Sequence, residues 1–178
     1  MRESDRQCVL RARAGDHAAY GELVARHQGR VRGWLRHLCG NHAEADDLAQ
    51  EAFVRAWTRL GDLKDVTRFS SWLMRIAYNE FLQSRRRAQK RQRLAERLTT
   101  EQDVHGTTAP GMQPEHAIEL ERVLSILSER ERAVVVLNYA YGYSHGEVSE
   151  LTGLALGTVK SLIQRGNKKV RERLDERA

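Results

Sequence analysis

Apolar residues recur along most of this chain at intervals of three and four, the spacing that lines one face of a helix; sustained period-two alternation, which a half-buried strand needs, is absent. Ser4 to Ala14 reads as a short first helix stopped by Gly15, and Asp16 stands where the next helix needs an N-cap. In that second helix Tyr20, Leu23, Val24, His27, Val31, Trp34, Leu35 and Leu38 share a face, and Gly40 ends it. The third runs from Asn41 to about Leu60 on a stripe of Leu48, Ala52, Phe53, Ala56, Trp57 and Leu60. A polar loop over residues 61–68 leads to a fourth helix whose face is Phe69, Trp72, Leu73, Ile76, Ala77 and Phe81, with Tyr78 and Asn79 off that face and expected at the surface.

The period breaks between Thr99 and Pro114, a polar stretch that holds both prolines and reads as a flexible linker. Beyond it Ile118, Leu120, Val123, Leu124 and Leu127 make one helix. Ser128 with Glu131 forms a capping box for the next, which continues to Tyr139. Ser144 with Glu147 opens a third, ending near Thr152 and Gly153; a fourth starts around Gly157 and turns Val159, Ile163, Val170 and Leu174 inward. Two short helices on a tight glycine-containing turn, the second one basic, are the helix-turn-helix pattern, although a plain helical hairpin shares it. The fold expected is all-α: two small helical domains, residues 1–95 and 115–178, joined by a flexible linker over 96–114, the second containing the helix-turn-helix.

Composition narrows the partners. Thirty Lys and Arg stand against twenty-four Asp and Glu, and a pI near 9.7 is the footprint of a protein that meets phosphates. No apolar run approaches the roughly 20 residues that cross a bilayer, and the N-terminus lacks a signal-peptide core, so a cytoplasmic protein without a membrane partner is expected. Two cysteines, Cys8 and Cys39, are too few for a disulfide framework. Cys39 lies between His37 and His42, but with no fourth ligand nearby it reads as a buried thiol at a helix end, and no metal or cofactor is expected. Neither a phosphate-binding glycine loop nor a nucleophile elbow nor a His-Glu-x-x-His motif occurs, which argues for binding work and against an enzyme.

Two charge patterns then carry the reading. Asp46, Asp47, Gln50 and Glu51 crowd the third helix opposite its apolar stripe. Carboxylates in a first turn favour the helix N-terminus by about 0.3–1 kcal/mol each, which suits Asp46 and Asp47; Gln50 and Glu51 fit that account less well and point to a protein partner. In the last helix Thr158, Lys160, Ser161, Gln164, Arg165 and Lys168 lie off the apolar stripe, where a recognition helix reads a major groove, while Lys169, Arg171 and Arg173 suit phosphates. Leu162 is expected as an apolar step on that groove-facing side. The basic run from Arg85 to Arg93, directly after an aromatic-bearing helix, suits nucleic acid as well.

The run Asp47-Leu48-Ala49-Gln50-Glu51-Ala52-Phe53 with Arg55-Ala56-Trp57, the segment Phe69-Ser70-Ser71-Trp72-Leu73-Met74-Arg75-Ile76-Ala77-Tyr78-Asn79, and Gly157-Thr158-Val159-Lys160-Ser161 resemble, in order, motifs of bacterial RNA polymerase sigma factors of the group 4, extracytoplasmic-function type. The resemblance implies a transcription initiation factor. Asp46, Asp47, Gln50 and Glu51 would dock on the coiled coil of the largest polymerase subunit, and the C-terminal domain would meet the flap region. Phe69, Ser70, Ser71, Arg75, Asn79, Arg85, Arg86 and Arg87 would bind the minus-10 element, with a base flipped out into the 61–71 loop region. Thr158, Lys160, Ser161, Gln164, Arg165 and Lys168 would read the minus-35 duplex. An anti-sigma protein is a further expected partner, with Leu154 and Leu156 as part of the surface it masks. The competing readings are a helix-turn-helix regulator that never joins polymerase, which leaves the acidic helix idle, and a nucleic-acid enzyme using Asp46, Asp47 and Glu51 to hold metal.

Overall fold

The computed structural model describes residues 4–98 and 122–175, and among them only helices and turns occur. Of the linker expected over 96–114, residues 96–98 instead end the helix that precedes it, and the rest, with the first residues of the helix after it, lies outside the described residues; residues 122–125 are helical. Four helices make the N-terminal group: α1 (Asp5–Arg13), α2 (His17–Cys39), α3 (His42–Thr58) and α4 (Phe69–Leu98). Three more follow in the C-terminal group: α5 (Glu129–Tyr139), α6 (His145–Thr152) and α7 (Leu156–Asp175). None of these helices is long and apolar enough to cross a membrane.

Local chemistry sets the ends. Ser4, Asp16 and Asn41 accept a backbone N–H in the first turns of α1, α2 and α3, and Gly40 closes α2 at φ 64°, a left-handed conformation that costs glycine nothing. Ser128 and Ser144 form reciprocal capping boxes with Glu131 and Glu147 at α5 and α6. Trp34, Phe69, Phe81, Leu35 and Leu73 fill the N-terminal core. The Tyr20 hydroxyl donates to the Phe53 carbonyl at 2.6 Å, fixing α2 against α3, and the Arg13 guanidinium reaches the carbonyls of Leu60 and Leu63, tying α1 to the loop before α4.

Several expectations change here. Tyr78 is buried, stacked between Trp34 and Phe81, because α4 is covered on two sides, by α2 and by the C-terminal helices; Asn79 is exposed as expected. Asp46 and Asp47 fall in the second turn of α3, whose first-turn acid is Glu44, so the helix N-terminus does not account for them. Leu174, expected to turn inward, is 49% exposed near the end of α7. Cys39 is half-buried, its thiol pushed up to about 12 by burial and the neighbouring Glu44.

Ala133 to Leu137, five consecutive residues of α5, are all buried. One face of α5 meets α7 and another meets α2, so this helix is the seam between the two groups and loses the usual polar side. The α7 crossing is close: a Cβ on Gly166 would lie 2.7 Å from Val135 Cγ2. Glu131 is buried beside it. Burial alone would raise its carboxyl, but the Lys169 ammonium at 2.7 Å and the Ser128 cap hold it below the usual range. α2 meets the C-terminal group through Arg30, whose Nη2 donates to the Tyr141 carbonyl at 3.1 Å and whose guanidinium lies over the rings of Tyr141 and Tyr143; the Tyr141 hydroxyl donates back to the Arg30 carbonyl at 3.2 Å.

Candidate functional site

Three surfaces remain once the core is accounted for. On α3, Asp47, Gln50 and Glu51 are exposed and line a shallow hollow with Val54, Arg55, Thr58 and Arg87. Asp46 sits apart from them, drawn to α2 by Arg36 Nη2 at 3.2 Å, so of the cluster's three acids Asp47 and Glu51 stay open beside Gln50 and one is half-committed. Val54, 59% exposed in the lining of the hollow, was not singled out from the sequence. Its signal was present: it is the one large apolar residue of α3 off the stripe, and an exposed apolar residue ringed by polar ones is common at a docking site. Beneath the hollow Arg55 Nε lies 2.7 Å from the Glu80 carboxylate, whose side chain is wholly buried and whose proton affinity burial raises against the pull of Arg55.

The second surface is a cleft of about 520 Å³ between the α3–α4 loop and α4. The loop is built, not slack: two 3-10 turns, Leu60–Asp62 and Val66–Arg68, flank the buried Leu63, and Asp65 accepts from the Thr67 amide at 2.9 Å and hydroxyl at 2.6 Å. Arg59, Lys64 and Arg68 from the loop side face Ser71, Trp72, Arg75, Ile76 and Asn79 of α4 across it. Asn79 also borders an adjoining hollow with Arg59, Gln83 and Arg86. Of the residues expected at the minus-10 element, Ser71, Arg75 and Asn79 therefore meet in one cleft. Ser70 is half-buried and outside it. Phe69 is a correction: it is fully buried, with its ring on His27 and Trp72, so its side chain belongs to the core.

The basic run divides. Arg85 is committed internally, to Glu129 at 2.9 Å, to Glu44 at 3.5 Å, to the Cys39 carbonyl and to the face of Phe81. Arg86 and Arg87 are exposed, and Arg86 continues along α4 with Gln89, Lys90 and Arg93 as a basic ridge.

The third surface is the outer side of α7. Thr158, Lys160, Ser161, Gln164, Arg165 and Lys168 are all exposed. Leu162 is not among them: it is 5% exposed and packs inward with Val159 and Ile163, so it is no groove-facing step and removes no DNA contact. The helical stripe in this stretch is broader than the one read from Val159 and Ile163 alone. The turn before α7 is held by Gly153 at φ 73° and by the Ser149 hydroxyl, which donates to the Leu154 carbonyl at 2.6 Å. Leu154 is half-buried, while Leu156 is 44% exposed. The α6 side of this same hairpin completes the lining of the cleft with Glu147, Glu150 and Leu151, and Glu150 pairs with Arg68.

Comparison with known proteins gives these surfaces a context. The family model for sigma-70 region 2 matches residues 23–91, and that for sigma-70 region 4 matches residues 117–170. The RNA polymerase sigma factor CarQ of Myxococcus xanthus is 34% identical over 170 residues, covering 93% of this chain and 95% of its own. CnrH of Cupriavidus metallidurans is 32% identical over 182 residues, covering 97% and 95%. Among solved structures, CnrH in complex with the cytosolic domain of CnrY matches with a TM-score of 0.71 at 29% identity, over 99% of this chain and all of that one.

Proposed function

The chain belongs to the sigma-70 family, as an extracytoplasmic-function factor that directs core RNA polymerase to promoters, and from that premise we propose how its three surfaces divide the work. The N-terminal unit, through the end of α4 at Leu98, joins polymerase and takes the minus-10 element; residues 99–114 tether it to the unit over 115–178, which reads the minus-35 element. The matched spans 23–91 and 117–170 support this division. Asp47, Gln50 and Glu51, with Val54 between them and Asp46 at the edge, dock on the largest polymerase subunit. The observation that carries this reading is that a strongly basic chain keeps Asp47 and Glu51 exposed, with no ion pair to either among the described residues.

Arg75, Asn79 and Ser71 offer donors and acceptors to the edge of a base extruded into the cleft, and Trp72 offers it a ring. Unstacking a base costs a few kcal/mol, which a partly enclosed polar pocket can offset. Arg86 and Arg87 neutralise strand phosphates from the ridge. On α7, Lys160, Gln164 and Arg165 suit base edges, each bidentate pair contributing about 1–3 kcal/mol of discrimination, while Thr158, Ser161 and Lys168 position the helix. Engaging both elements through one tether raises affinity by effective concentration. The protein works in the cytoplasm, without catalysis of its own. Exposed Leu156, beside half-buried Leu154, supports an apolar contact for an anti-sigma partner.

The test is run-off transcription with purified core polymerase on a promoter library. Asp47→Arg and Glu51→Arg should abolish factor-dependent starts and weaken polymerase binding, while duplex minus-35 binding by the free protein stays unchanged. Starts that survive in both charge-reversed proteins, with polymerase affinity intact, would remove the α3 face from the account.

A further inference from the structure

The loop that walls the cleft, residues 59–68, carries little apolar anchorage of its own: Leu60 and Leu63 are buried and Val66 is half-buried. Its first 3-10 turn ends on a long bond, from the Leu63 amide to the Leu60 carbonyl at 3.4 Å, and Leu63 then breaks into extended backbone. Arg13, at the end of α1, meets that weak point from behind. One edge of its guanidinium donates to both carbonyls, Nε to Leu60 at 3.1 Å and Nη2 to Leu63. Arg59 and Lys64, the residues that flank this pair, line the cleft; Arg13 does not. We infer that Arg13 is a positioning residue for base recognition: it fixes the spacing of the loop against α4 and so sets how sharply the cleft discriminates between bases, an inference that rests on the reading of the cleft given above.

The fork matters here more than the charge. A guanidinium is planar, with its Nε–H and Nη2–H held side by side, so two carbonyls that accept from it are locked at one separation. A lysine ammonium is a compact donor on a flexible stem and imposes no such spacing. The helix that carries Arg13 is itself firmly seated. Cys8, Val9 and Ala12 are buried, and Asp5 pairs with Arg26 at 3.1 Å and with His27 at 2.7 Å. The His27 ring in turn lies on Phe69, the first residue of α4. Both ends of the loop are therefore referred to one α1–α2 block, through Arg13 where the loop begins and through His27 where it ends. A shift of the loop would pass directly to Arg59 and Lys64, which face Arg75 and Asn79 across the cleft. A base edge is read by hydrogen bonds that weaken steeply with poor alignment, so a loop that drifts discriminates less even where it still binds.

The test measures factor-dependent run-off starts, with core polymerase and the full chain, on promoters that differ by one base in the minus-10 element. The readout is the ratio of the best base to the others. Arg13→Ala and Arg13→Lys should both lower that ratio by about five-fold, the scale of one net hydrogen bond, with polymerase affinity and duplex minus-35 binding unchanged. Ser4→Ala removes the cap of α1 without touching the loop; it should lower the unfolding midpoint and keep the ratio. Asn79→Ala, in the cleft itself, should lower the ratio as well. A ratio kept by Arg13→Lys would reduce Arg13 to a charge and overturn the inference. So would a ratio kept by both Arg13 variants while Asn79→Ala lowers it, which would leave Arg13 a structural staple. A ratio that Ser4→Ala lowers as far as Arg13→Ala does would trace the effect to general loosening of α1, and the inference would fall. If no variant moves the ratio, Asn79→Ala included, the base is not read in this cleft, and the reading of the cleft fails with the role of Arg13.

Discussion

At the foot of the α3 face the Glu80 carboxyl is buried opposite Arg55, and burial makes it hold its proton more tightly than an exposed glutamate does. The folded chain then binds more protons than the unfolded one, so stability falls as pH rises from the ordinary carboxylate range through the raised folded value. Glu80→Gln should flatten that part of the profile, read as urea midpoints from acid to neutral pH, because glutamine has nothing to ionise. A profile with unchanged slope would assign the dependence to other groups. At Gly166 the close α5–α7 crossing makes a different demand. Gly166→Ala gains up to about 1 kcal/mol of helix propensity but drives a methyl into Val135, and overpacking of this kind costs about 1–3 kcal/mol. Thermal unfolding should show a net loss that Val135→Ala partly restores, the signature of coupled neighbours. Nothing in the sequence marks either residue, since both depend on which helix comes to lie alongside.

In α7 the inward residues and the outward ones have separate jobs. Leu162→Arg forces a charge into the seat that Val159 and Ile163 share; loss of the buried leucine alone costs about 2–5 kcal/mol, and the guanidinium adds its desolvation. The expected outcome is a lowered unfolding midpoint and weaker duplex binding, the reverse of what an outward position would give. Arg165→Ala should leave the midpoint in place and weaken minus-35 binding by about 1–3 kcal/mol if it reads a base; equal affinity in fluorescence anisotropy would place Arg165 outside the interface. The helices themselves were legible, because capping serines, stop glycines and a three-four period are local facts. Leu162 was misplaced because a stripe's width depends on how many neighbours press on the helix, and α7 is covered broadly by α5 and α6. Phe69 had two readings: the apolar face of the fourth helix put it inward, where the structure has it with His27 on its ring, and only the family resemblance assigned it to DNA.

For the whole molecule, the seam between the two units turns on small geometry. A Cβ on Gly33 would lie 2.9 Å from the Tyr141 hydroxyl. Gly33→Leu adds helix propensity to α2 but leaves Tyr141 no room against it, so the units should part, with a larger radius of gyration in scattering and an unshifted melting of the α2 helix itself; an unchanged radius would mean that Tyr141 swings aside with the seam intact. What the sequence determined by itself was the set of helices, the break between two groups of them, the basic balance and the acidic residues of α3, because each follows from neighbours within a few positions along the chain. What only the tertiary structure decided was which of those residues stay available. Asp46 goes to Arg36, Arg85 to Glu129 and Glu44, Phe69 and Tyr78 to the core, and Glu147 and Glu150 to the wall of the cleft. Those assignments join residues as far apart as Arg68 and Glu150, 82 positions, and burial and charge pairing act through space, where spacing along the chain carries no information.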